Sequence, residues 1–185
     1  MAEKNEGKVF ESAIQKSIPE HVWFKRLNDN AAGWSGGSNT RFASTNECDL
    51  LLYDTASFNL FCLELKSTKG TLFSFWRRDF EVRGKKKTFM IKKNQILGLE
   101  KWAKFHCVVC GFIFNFRSEG NHTYFVSIEN FISYTRKLEK KSINQSDVIA
   151  MDGIEIDCRL LKTNYGYDIE KMLMEVREQK YAKQQ

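Results

Sequence analysis

Asp49, Glu64 and Lys66 are the residues whose types and spacing could carry chemistry. They lie in two runs, CDLLLYD (48–54) and NLFCLELKS (59–67), that read as strands joined by the short turn TASF, which predicts an antiparallel hairpin. Residues two apart on a strand share a face, so Glu64 and Lys66 project together while Leu65 points into the core. Asp49, at the start of the neighbouring strand, can reach the same spot. Two carboxylates beside an ammonium suit a divalent, oxygen-seeking cation such as Mg2+, which takes one or two carboxylates and keeps several waters. The chemistry such a site serves is phosphodiester hydrolysis: the cation polarises a phosphoryl oxygen and generates a hydroxide-like nucleophile, while Lys66 positions water and stabilises developing charge.

The elements that must hold these residues can be read around them. Residues 5–18 predict a helix, with Val9, Phe10, Ala13 and Ile14 on one stripe and Pro19 as its stop. Residues 21–27 (HVWFKRL) read as a strand. The segment 29–47, rich in Gly, Ser, Asn and Thr, is a long irregular stretch of the kind that is usually functional or mobile, and it contains Trp34. A helix is expected over about 91–105, with Ile96, Leu99, Trp102 and Ala103 at helical spacing, then an apolar strand at 108–116 covered on both faces. A strand at 123–128, a short helix at 129–137 and an amphipathic helix at 168–183 follow; residues 138–165 show no clear period. The order predicts an α/β domain with a mixed central β-sheet flanked by helices.

The pattern Asp49…Glu64-Leu65-Lys66 resembles the signature of the PD-(D/E)XK nuclease superfamily. Gly7-Lys8-Val9-Phe10-Glu11 resembles the glycine-to-acid helix motif of its Holliday junction resolvases, and Lys93-Asn94-Gln95 the His-Gln pair of the RecU-like ones. The later runs GFIFNF and TYFVSIENF are similar to that family's closing strands and helix, so the resemblance spans about residues 5–135. It departs at Cys48, where the signature has proline, and at Asn94, where the resolvases have histidine. The resemblance implies a restriction-endonuclease-like core within one nuclease domain over 1–185, with a C-terminal helical extension at about 138–185. It implies Mg2+ (or Mn2+) held by Asp49, Glu64 and the backbone carbonyl of Leu65, with Glu11 as a supporting acid or second-metal ligand. Gln95 would hold the catalytic lysine or a water. Resolvases of this kind are similar in working as homodimers that nick two symmetric strands of a four-way junction, and the segment 29–47 would occupy the place of the loop that enters the junction. The alternatives are a restriction-type or general repair endonuclease of the same superfamily, and an inactive DNA-binding module on this scaffold.

Charge placement agrees with a polyanionic partner. The chain of 185 residues carries a net +6, and the stretch 77–93 alone has eight basic residues against two acids, so the remainder balances. Arg77, Arg78, Lys85, Lys86, Lys87, Lys92 and Lys93 are the expected phosphate contacts. Phe73, Phe75 and Trp76 lie beside this patch; they read chiefly as core, with stacking at an opened branch point as the functional alternative. The five cysteines read as buried free thiols, and Cys107 and Cys110, three apart on a strand, point to opposite faces and make a poor chelating pair. His21, His106 and His122 lack metal-ligand spacing. No apolar run is long enough to span a membrane, and MAEKNEGKVFE lacks the apolar centre of a signal peptide, so a cytoplasmic location, bacterial or in a phage's host, is expected.

Overall fold

In the computed structural model, which describes residues 5–27, 46–77, 88–118 and 120–182, the first helix begins where the Asn5 side chain accepts a hydrogen bond from the Lys8 amide. This helix, α1 (Glu6–Lys16), buries Phe10, Ala13 and Ile14 and ends at Ser17. The elements that follow are β1 (Trp23–Arg26), β2 (Leu50–Asp54), β3 (Asn59–Thr68), β4 (Phe73–Ser74), α2 (Lys93–Trp102), β5 (Val108–Phe116), β6 (His122–Ser127) and α3 (Ile128–Thr135). Then come β7 (Ser142–Ile143), α4 (Gln145–Ala150), β8 (Ile154–Glu155), β9 (Cys158–Leu160), β10 (Tyr165–Tyr167) and α5 (Ile169–Ala182). The segment 29–45 with Trp34, and the basic residues Arg78, Arg83, Lys85, Lys86 and Lys87, lie outside the described residues.

Six strands form one mixed sheet in the order β1-β2-β3-β5-β6-β8. β1, β2 and β3 are antiparallel in succession, β3 and β5 are parallel, and β6 and β8 return antiparallel. The parallel pair requires a crossover, which α2 supplies. Alternation along β3 sorts its side chains: Phe61, Leu63 and Leu65 join α1 and α5 in one core, while Cys62 joins α2, α3 and α4 in the other. The chain is therefore an α/β fold with helices on both faces of a mixed sheet. β5, flanked by β3 and β6, is fully buried from Cys110 to Phe116, as its unbroken apolar run predicts.

The segment after residue 138 departs from the helical extension expected of it. It contributes β8 as the last strand of the main sheet, pairing Glu155 and Ile154 with Tyr124 and Phe125, and β7 pairs with β4. Strands of two or three residues are too short to show a period, so this segment carried no sequence signal. Its final helix closes the core of α1: Ile169, Met172 and Leu173 are buried there.

Candidate active site

The site is assembled at the point where β2 has not yet begun and β3 runs on without it. Asp49 sits one residue before β2; its amide donates to the Leu63 carbonyl at 3.0 Å, and its Oδ2 accepts from the Leu65 amide at 2.8 Å. The carboxylate thus takes the ladder position that a longer β2 would have filled. Because a strand residue's N–H and C=O point to the same side, the Leu65 carbonyl is directed toward Asp49 as well.

Glu64 and Lys66 share the opposite orientation to Leu63 and Leu65, facing the layer of α2 and α3. Lys66 Nζ lies 2.8 Å from Glu64 Oε1. Gln95, in the first turn of α2, donates its side-chain amide to the same oxygen. Its own Oε1 accepts from the Lys92 amide at 2.8 Å, so one side chain caps the helix and fixes the carboxylate. The Asp49 carboxylate, held at the Leu65 amide, is close enough to Glu64 to act on its charge. Burial drives the Glu64 carboxyl up to about 8; the Lys66 ammonium opposes that rise and the Asp49 carboxylate adds to it. Without a cation Glu64 therefore holds a proton at neutral pH, and a bound cation would release it. Beneath Glu64 lie Cys48, Cys62 and Cys110, all buried; contact with Cys62, then burial, pushes the Cys48 and Cys110 thiols up.

Asp49, Glu64 and Lys66 thus lie together, and Gln95, singled out by the resemblance, joins them from α2. Glu11 stands on α1, on the other face of the sheet from Glu64, and its Oε2 accepts from Arg26 Nη2 at 2.8 Å. Of the basic set, Lys92 and Lys93 are exposed at the start of α2 and Arg77 donates to the Leu138 carbonyl. Phe73 and Phe75 are core residues, whereas Trp76 is half-buried with Lys93 Nζ 5.2 Å from its ring centre. Cys107 lies in a turn with φ of 59° while Cys110 is inside β5. His21 and His122 pair with Glu170 and Glu155 at 3.2 and 2.9 Å.

Among the described residues no group of three or more His, Cys, Asp or Glu side chains is arranged to hold a metal ion. The donors available at this site are two carboxylates and a backbone carbonyl. That set fits a hard cation that completes its shell with water and phosphate oxygens, and it does not fit a closed structural zinc site.

One contributor was missed from the sequence. A Cβ at Gly98 of α2 would lie 2.1 Å from Glu47 Cγ and 2.4 Å from Glu47 Cβ, so glycine lets the segment entering Asp49 press against the helix. In Gly98→Ala the gain in helix propensity, about 1 kcal/mol, is set against an overpacking cost of about 1–3 kcal/mol. Net stability should change by less than about 2 kcal/mol, but the Glu47–Asp49 segment must move. Under the hydrolytic activity proposed below, a displacement of about 1 Å at Asp49 would cost on the order of 100-fold in rate. Urea denaturation beside a cleavage assay checks both numbers.

No family model matches the chain. The SPbeta prophage-derived uncharacterized protein YotM of Bacillus subtilis (strain 168) is 31% identical to it over an alignment of 189 positions that covers 95% of this chain and 89% of that protein. Among solved structures, the Holliday junction resolvase Hjc of Archaeoglobus fulgidus matches 80% of this chain and 95% of its own at 14% identity and a TM-score of 0.46. No helix among the described residues is long and apolar enough to cross a membrane.

Proposed function

We infer the function of this chain, which belongs to the family of the SPbeta prophage-derived protein YotM, from its site: it is a metal-dependent DNA endonuclease of the PD-(D/E)XK type. The observation that carries this reading is the convergence of Asp49, Glu64, Lys66 and Gln95 at the end of β3. The order of the core, a helix, three antiparallel strands, a helix and a strand parallel to the third, supports a restriction-endonuclease-like scaffold. The whole of residues 1–185 is read as one nuclease domain.

Asp49, Glu64 and the Leu65 carbonyl would hold Mg2+ or Mn2+, with Glu11 as an outlying acid. When bound, the cation supplies Lewis-acid polarisation of the scissile phosphate and a nucleophilic water. Lys66 orients the attacking water with its ammonium and neutralises charge growing on the phosphoryl oxygens. Gln95 keeps Glu64 in register for both, since its amide is itself fixed by the backbone of Lys92. Lys92 and Lys93, exposed on the same helix end, position the DNA backbone together with Arg77, Arg78, Lys85, Lys86 and Lys87.

The finer reading is a junction-resolving enzyme working as a homodimer on four-way DNA, and a relative encoded in a prophage is in keeping with a phage-borne recombination enzyme. A synthetic four-way junction and a linear duplex of the same arms, each incubated with Mg2+, test it. Paired symmetric nicks confined to the junction are expected. Equal cutting of the linear duplex would replace junction resolution with a restriction-type or general repair activity.

A further inference from the structure

We propose that the cavity between α2, α3 and the end of β4 receives a single unpaired nucleobase from the DNA strand being cut. The inference rests on the endonuclease reading and narrows its substrate to DNA that offers an unpaired base beside the scissile phosphate. The cavity measures about 260 Å3, and Trp76, Ile96, Phe131 and Ile132 form its apolar walls. That is below the roughly 300–1,000 Å3 of sites that enclose drug-sized ligands, so it accommodates one flat ring system and not a length of peptide.

Its polar groups suit a base attached to a phosphodiester chain. Arg77 and Arg136 also line the cavity, and among the described residues no acidic one does. The Arg136 side chain is 65% exposed and pairs with Glu100 only at 3.9 Å, leaving it able to meet a phosphate. Thr135 lines the cavity too, and its hydroxyl donates to the Phe131 carbonyl at 2.7 Å, which leaves its oxygen an acceptor. Trp76 is held as a platform: its amide is bonded to the Ile91 carbonyl at 3.0 Å, and the Lys93 ammonium lies over its ring.

The cavity stands next to the catalytic row. Ile96 follows Gln95 directly, so one turn of α2 sends Gln95 to Glu64 and Ile96 to the cavity. Phe131 packs on Phe112 and Phe114, with ring centres 4.9 and 6.4 Å away, and these two are the β5 register partners of Glu64 and Lys66. A second groove of about 600 Å3 shares Ile132 and Arg136 and is lined further on by Lys104 and Lys137, beside Glu100 and Glu129. It gives the strand leaving the cavity a path along α3.

The test is binding in EDTA to two DNAs, a fully paired duplex and the same duplex with a short single-stranded gap carrying 2-aminopurine. The wild type should bind the gapped DNA more tightly and quench its fluorescence. Base–aromatic stacking predicts that Trp76→Ala weakens gapped-DNA binding by about 5- to 100-fold while paired-DNA binding moves by less than about twofold. Ile132→Trp, which fills the cavity from a half-buried position without removing Trp76, should give the same loss, and Trp76→Phe should retain most of the affinity. Gapped-DNA binding at wild-type strength in both Trp76→Ala and Ile132→Trp would overturn the proposal, as would equal losses on both DNAs or a wild type that binds neither. With Mg2+ added, cavity-dependent binding without any cleavage keeps the base site and removes the endonuclease reading. Cleavage untouched by either variant does the reverse.

Discussion

Lys66→Ala should cut the rate of DNA hydrolysis by about 100- to 1,000-fold, the scale on which removal of a preorganised charge-stabilising donor acts, with little change in stability. The second half follows from the state of Glu64. Burial already holds that carboxyl up to about 8, and Lys66 is the group that opposes the rise. Losing the ammonium leaves Glu64 protonated at neutral pH, so no bare buried charge remains to destabilise the fold. Glu64→Gln separates the two roles further. A carboxyl whose folded value is raised contributes stability that is fully present below its ordinary 4.5 and lost as pH rises through about 8, because the native state keeps a proton the unfolded chain releases. In EDTA the wild type should therefore lose stability between pH 5 and 8.5, by at most a few kcal/mol, and Glu64→Gln should not. Urea denaturation across that range reads the difference directly. The same variant should be inactive at every pH. A wild-type profile that stays flat in EDTA would mean Glu64 is ionised in the metal-free protein.

Asp54→Ala should destabilise the fold by about 3 kcal/mol, the cost of stranding one member of a buried ion pair. Asp54 is fully buried in the turn end of β2, where Arg177 of α5 binds it through Nε at 2.8 Å and Nη2 at 2.9 Å. Ser57 and the Ala56 amide also donate to it. Lys180 fastens the same helix to Asn59 at 2.8 Å. Burial alone would raise the Asp54 carboxyl, but the bonds from Ser57, Arg177 and Ala56 outweigh it and hold the group below its ordinary 3.8. Its contribution is then present above pH 3.8 and lost as pH falls through the lowered folded value, the opposite sign to Glu64. Acid denaturation should be steeper in wild type than in Asp54→Asn, and thermal melting at pH 7 should show α5 and the β2–β3 end failing together. Equal melting temperatures for wild type and Asp54→Ala would show that the latch contributes nothing.

The parts of the chain that could be read from its residues are those with a long enough pattern to be unambiguous. Leu63-Glu64-Leu65-Lys66 alternates inside the ten-residue strand Asn59–Thr68, which makes the shared face of Glu64 and Lys66 legible, and the apolar run of Val108–Phe116 does the same for its burial. The antiparallel pairing that brings Asp49 beside them followed from the short turn between the strands. What was not legible depends on contacts between distant segments. The strand Ile154–Glu155 joins the sheet only because its edge at Tyr124 and Phe125 is open to it. The closeness of Gly98 to Glu47 is a packing fact that leaves no mark on either segment's composition. Gln95 was picked out by its place beside Lys93 and Asn94, but its double use, as helix cap and as donor to Glu64, appears only once α2 is set over β3. Adjacency groups Trp76 with Phe73 and Phe75, yet Phe73 and Phe75 turn into the core and Trp76 lines a cavity.

The most direct test of the central claim is a cleavage assay on labelled DNA, run with Mg2+, with Mn2+ and with EDTA, on the wild type, Asp49→Asn, Glu64→Gln and Lys66→Ala. The expected result is nicking by the wild type that requires one of the two cations, and products slower by about 100-fold or more in all three variants, each of which still binds the DNA. Cleavage that persists in EDTA, survives at the wild-type rate in any of the three variants, or is absent from a folded, DNA-binding wild type under both cations would contradict it.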